Sequence, residues 1–213
     1  MGKVALVALA ILVCVAAVAG LSGVGVYNRL VSLSQGVDAQ WSQVENAYQR
    51  RADLVPNLVA TVQGAADFER STLSAVTEAR ASVGKVQLSG KDLLNNPQAF
   101  AQFQAAQDGL SSALSRLLVV SEKYPELKAT QGFRDLQGQI ESTENRISVE
   151  RMRFGETAQA YNTGRLQFPA NIVAGIFGFK EKAYFKARAG AEQAPKVEFS
   201  FGASPAAPQP ARP

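Results

Sequence analysis

The densest set of side chains able to do chemistry lies at Arg50, Arg51, Asp53 and Asn57, grouped around Pro56. Two guanidiniums beside a carboxylate and an amide can hold an anion through paired, charge-assisted hydrogen bonds. The same residue types at a helix turn also cap and fix a connection, which is their commoner use. A second set is Glu144, Asn145 and Arg146; Glu144 and Glu150 or Arg151 fall near the inward register of a helical pattern, where Leu or Ile is otherwise expected. Carboxylates inside helical bundles can hold paired metals, but such sites draw glutamates from several helices, with a histidine three residues on. The chain has no histidine. Buried ion pairs that fix helix register are therefore the expected role.

The missing imidazole also excludes histidine-based general acid/base catalysis, triads that use it and the usual zinc sites. The only cysteine, Cys14, stands inside an apolar run, so no intrachain disulfide can form. No glycine loop follows a strand pattern, and neither a metal nor another cofactor is expected. Among 213 residues the net charge is +4, with basic residues interleaved among acidic ones. That pattern does not make a phosphate-binding patch, and nucleic acid is not an expected partner.

The chain that carries these groups starts with an uncharged run from Val4 to Gly25. At about 1.5 Å per residue it can cross a hydrocarbon core of about 30 Å. It reads as a membrane helix over residues 1–26 or as a cleaved signal peptide, with Ala17-Val18-Ala19 an acceptable cleavage site. A lipoprotein site is excluded, because Val24 stands where the acylated cysteine would be. The charge difference between Lys3 and Arg29 favours a domain outside the cytoplasm.

Four amphipathic segments follow. Leu30, Leu33, Val37, Trp41, Val44, Tyr48 and Val55 mark the first, and Leu58, Val62, Leu73, Val76 and Val83 the second. Pro56 predicts a reversal between them, with Asp53 as N-cap of the second helix. Residues 84–97 read as a loop. The third helix starts near Pro97 and carries Phe100, Phe103, Leu110, Leu114 and Leu117; the fourth carries Phe133, Ile140, Ile147, Phe154 and Tyr161, with Asn162 and Gly164 as its stop. The expected fold is all-α: an antiparallel up-and-down four-helix bundle over residues 27–188, preceded by the transmembrane helix.

Counting directions returns the chain to the bilayer after the fourth helix. There Phe168, Ile172, Ile176, Phe177 and Phe179 precede Lys180 and Lys182. This apolar segment, 168–179, is too short to span. It either caps the open end of the core or lies at the membrane interface. Residues 189–213, rich in Ala and Pro, are expected to be a disordered tail.

Several stretches carry a family resemblance: YNRLVSL at Tyr27, WSQVENAYQRRADLVPNLV from Trp41, VTEAR at Val76, SEKYPELKA at Ser121, ESTENRIS at Glu141 and QFPANIVAGIFGFKEKAYF from Gln167. In this order, over roughly residues 27–200, the chain resembles the LemA family of bacterial membrane-anchored helical proteins. The resemblance implies a retained N-terminal helix and a helical bundle, and places the short N-terminus outside, against the charge difference. Some relatives belong to membrane-organelle assemblies. The expected function is a non-enzymatic, single-pass scaffold or adaptor for other membrane or envelope proteins, with self-association open. The rival is a membrane-anchored ligand sensor or enzyme using the Arg50/Arg51/Asp53 group or the Glu144 region.

Overall fold

The computed structural model describes residues 2–64, 69–85 and 90–187. The Ala/Pro-rich tail lies outside the described residues. Among those described, all regular structure is helical: α1 (Gly2–Gln63), α2 (Arg70–Lys85), α3 (Gly90–Leu94), α4 (Pro97–Ser121), α5 (Pro125–Ala129), α6 (Gln131–Leu166) and α7 (Ala170–Phe177). Contacts at matched heights show that α1 and α6 run antiparallel: Gln40 meets Glu150, and Arg51 meets Glu144. The part of α1 beyond Tyr27 is roughly 55 Å long at the helical rise, the same as the 36-residue α6. Helix α2 returns along α1, with Arg80 beside Ala52, and packs on α4.

The reversal expected at Pro56 does not occur there. Helix α1 passes through Pro56 without interruption to Gln63, and the returning helix α2 begins at Arg70. Asp53 is accordingly no N-cap; it sits within the helix and accepts a 2.7 Å hydrogen bond from Gln49. A proline inside a helix leaves the carbonyl four residues earlier without its amide donor. Here that carbonyl belongs to Ala52, and Arg80 Nε of α2 donates to it at 3.2 Å. Packing supplies the rest: Trp41, Val44, Tyr48, Arg51, Val55, Leu58 and Val62, spaced alternately by three and four, are all buried. The buried stripe crosses the proline without a change of phase, and Pro56 lies on the exposed face.

Two further expectations shift. The stretch 84–97 is partly helical, with α3 burying Leu93 and Leu94. Gly90 opens α3 against Trp41; a Cβ there would stand 2.8 Å from the indole, so the close approach requires glycine. Helix α6 runs past Asn162 and Gly164 to Leu166. The start of α4 is as expected, with Pro97 in the first turn and Asn96 accepting from the amides of Gln98 and Ala99.

The core has two parts. An aromatic part, nearer the apolar end of α1, gathers Trp41, Tyr48, Phe100, Phe154 and Tyr161. An aliphatic part at the far end gathers Val55, Leu58, Val62, Leu110, Leu114, Leu117 and Ile140, with Phe133. Residues 179–187 cross the aromatic part without regular secondary structure. Asn162 brackets Lys182 there, donating to its carbonyl and accepting from its amide, both at 2.9 Å. Gln104 brackets Lys186 in the same way, and Ala183 N donates to Leu94 O. Between the two brackets Phe185 enters the cluster, 4.8 Å from Phe100 and 5.6 Å from Phe154 by ring centroid.

Candidate functional site

Where the two core parts meet, the residue on the buried stripe of α1 is Arg51, only 1% exposed. An uncompensated charge there would be strongly destabilising, so its partners decide what it does. One terminal nitrogen donates to Glu144 Oε1 of α6 at 2.7 Å and to Ser111 Oγ of α4 at 2.5 Å. The other donates to the side chain and, at 3.2 Å, to the backbone carbonyl of Gln107. Ser111 Oγ in turn donates to the second Glu144 oxygen at 3.1 Å. Three helices are thereby joined in one polar layer between the aromatic and aliphatic cores. Tyr48 covers the guanidinium from one side, 5.2 Å away.

Two groups far apart in sequence are thus brought together, Arg51 from one and Glu144 from the other, while their neighbours are not. Arg50 is exposed and lines a shallow depression with Arg134, Asp135 and Ser142. Asp53 and Asn57 face solvent. Arg146 is exposed and reaches Glu150, at 3.8 Å. Glu150 itself is buried and accepts from Gln40 at 2.8 Å, with Arg153 at 3.5 Å. No group of three or more metal-binding side chains occurs among the described residues.

A groove of about 690 Å³ opens beside this layer between α1, α2 and α4; Glu45, Tyr48, Gln49, Arg80, Phe103 and Gln107 contribute to its walls. The buried Tyr48 hydroxyl has no hydrogen-bond partner among the described residues. Burial pushes its pKa up to about 12, against smaller lowering effects from Arg151 and Arg51.

At the other end, α7 lies against α1. Gly178, at φ 71°, adopts the left-handed conformation that ends the helix, and the reversed chain brings both Phe177 and Phe179 onto Tyr27. Their ring centroids are 4.8 and 5.6 Å from that of Tyr27. Phe168, Ile172, Ile176 and Phe177 stay exposed. Lys180 is exposed, but Lys182 is not part of a basic edge: it is buried, with its ammonium 3.4 Å from Asp38. The role of Asn162, Gln104 and Phe185 in holding segment 179–187 was missed from sequence. The alternation in KAYFK, which sets Ala183 and Phe185 on one side, was the available signal.

The LemA family profile matches residues 40–199, three-quarters of the chain. This chain belongs to the LemA family. Among curated proteins, two magnetosome proteins of Paramagnetospirillum magneticum, MamQ 1 and MamQ 2, are each 29% identical to it over 175 residues, covering 75% of this chain and 64% of theirs. Magnetosome protein MamQ of Magnetospirillum gryphiswaldense is 27% identical over 174 residues, with the same coverage. The LemA-family chain described here therefore spans a little under two thirds of the length of these relatives. Its matched region holds both the Arg51 layer and α7, while the profile leaves out the whole of the uncharged run of α1.

Proposed function

We propose that this LemA-family chain is a non-enzymatic scaffold held at a membrane by the first part of α1, its single span. In this reading α1, α2, α4 and α6 form an up-and-down four-helix bundle that presents surfaces to other membrane or envelope proteins, outside the cytoplasm by the Lys3–Arg29 charge difference. The observation that carries it is the state of Arg51. The strongest candidate for anion chemistry has both terminal nitrogens engaged by three helices, the geometry of a register lock and not of an open site. The uncharged helix at Val4–Gly25, with none of its described side chains buried, supports the membrane anchor. The relatives are named as magnetosome proteins, and a role in organising a larger assembly is compatible with the same architecture.

A ligand sensor is the second reading, favoured by the groove beside Tyr48 and its unpartnered hydroxyl. One experiment separates the two. Photocrosslinking residues are placed in living cells at exposed positions on α2, α4 and α6, and the purified protein is melted in micelles with a metabolite collection. Discrete crosslinks from one face, without stabilisation by any compound, support the scaffold. A compound that stabilises by about 2.7 kcal/mol at a hundred times its Kd, with that gain lost in Tyr48→Phe, supports the sensor and removes the scaffold as the primary role.

A further inference from the structure

Helix α7 is eight residues of Ala, Asn, Ile, Val, Gly and Phe without a charge. Only Ala174 is buried; Phe168 beside it is 81% exposed, Ile172 52%, Ile176 72% and Phe177 61%. Exposed apolar side chains gathered on one short element, unlike the scattered Val119 and Met152, mark a contact surface. Its place identifies the other side of that contact. Tyr27, the residue that Phe177 and Phe179 both touch, stands two positions after the uncharged run of α1 ends at Gly25. On that stretch of α1, Gly23 and Val26 are half-buried while Leu21, Val24 and Gly25 remain exposed. The exposed side of α7 is thus continuous with the exposed surface of the candidate span, at the height where the span ends.

We infer that α7 is an interfacial foot, seated in the headgroup and upper acyl region of the bilayer from which α1 emerges. The inference rests on the anchor reading above and adds a second membrane contact from the opposite end of the chain. At about 1.5 Å per residue α7 reaches about 12 Å, so it lies along the interface and does not cross it. Aromatic residues beside short aliphatic ones suit that depth, and Arg29 and Lys180, both exposed near Tyr27 in sequence or contact, suit the headgroups next to it. Tyr27 couples the two contacts. The span fixes where the body leaves the membrane, and the foot fixes which side of the body faces it.

The test uses the full chain, with Cys14 replaced by Ala, in vesicles of phosphatidylcholine and phosphatidylglycerol. A nitroxide is attached in turn at Leu12→Cys, Ile172→Cys, Ile176→Cys and Glu126→Cys, and its collisions with oxygen and with a water-soluble nickel chelate are compared. The labels at Leu12, Ile172 and Ile176 are expected to favour oxygen, and the label at Glu126 in α5 to favour nickel. Ile176→Asp should turn the label at Ile172 towards nickel while leaving the one at Leu12 in lipid. A nickel-accessible label at Ile176 with Leu12 still in lipid overturns the foot and leaves the anchor standing; nickel access at both removes the anchor reading as well. Shielding of Ile176 from both reagents, with spin broadening relieved by unlabelled protein, would assign the patch to a second copy and overturn the lipid contact.

Discussion

Arg51 and Tyr48 are adjacent positions on one buried stripe, and both carry groups that a core ordinarily excludes. Arg51 is held because Glu144, Ser111 and Gln107 converge on it. Arg51→Ala leaves those partners facing a void and should cost about 3 kcal/mol, as for other broken buried pairs. Arg51→Met combined with Glu144→Leu should recover most of that loss, since apolar replacement of a buried pair is often neutral. Urea unfolding of the micellar protein measures both, and a loss below about 0.5 kcal/mol for Arg51→Ala, the range of surface changes, would deny the layer its structural role. Tyr48 gives a pH prediction. Its hydroxyl is kept protonated by burial to about pH 12, whereas in the unfolded chain it ionises near its ordinary value of 10.0. The unfolded state therefore releases its proton first as pH rises, so the contribution is intact below pH 10 and lost between 10 and 12. That difference corresponds to about 2 to 3 kcal/mol. Tyr48→Phe should flatten this part of the stability profile without lowering stability at neutral pH.

Pro56 shows where sequence and fold part company among the helices. A proline in a helical pattern argues for a break, and the expected second helix accordingly began there; yet Val55, Leu58 and Val62 keep the spacing set by Trp41, Val44 and Tyr48. Phase was the better guide than residue type, because a core stripe that does not rotate leaves no reason for the helix to end. What the sequence could not display is the compensating donor, since Arg80 lies 28 positions from Ala52 and reaches it only once α2 has turned back. Arg80→Ala should therefore cost about 1 kcal/mol, a typical net hydrogen bond, and close to nothing in the Pro56→Ala background, where the amide restored at position 56 can serve Ala52. A double-mutant cycle reads this coupling directly, and additive single effects would show that Arg80 does not support the helix. The start of α4 was legible for the opposite reason: Asn96 and Pro97 act within one turn and need no distant partner. By the same logic Glu144 was legible as a polar residue near an inward register and Arg51 as one of a polar group at an expected turn, but not as each other's partner, and the seat of Phe185 depended on Asn162 and Gln104 from two other helices.

The two kinds of core describe the molecule from one end to the other. Beside the candidate span lie the aromatic cluster, the bracketed segment 179–187 and α7; beyond the Arg51 layer lie the aliphatic cluster and the polar turns around Glu122, Glu126 and Lys128. Brackets, ring stacking and the buried Lys182–Asp38 pair all concentrate in the segment that follows α7, so the chain is tied to the body directly beyond the helix proposed to meet the bilayer. If α1 continues straight from the span and α7 rests on the interface, the body stands upright with α5 roughly 55 Å above the membrane, the rise of the 36-residue α6. A donor fluorophore at Glu126 should then transfer little energy to acceptors carried on lipid headgroups, whereas one at Ile176 should transfer nearly all of it. Removing the exposed apolar side of α7 by Ile172→Asp with Ile176→Asp frees the body to tilt about the exit of α1, and transfer from Glu126 should rise. Strong transfer from Glu126 in the unaltered protein would mean that the helices lie along the membrane, and would transfer the role of the docking face from α7 to the long flank of α2 and α4.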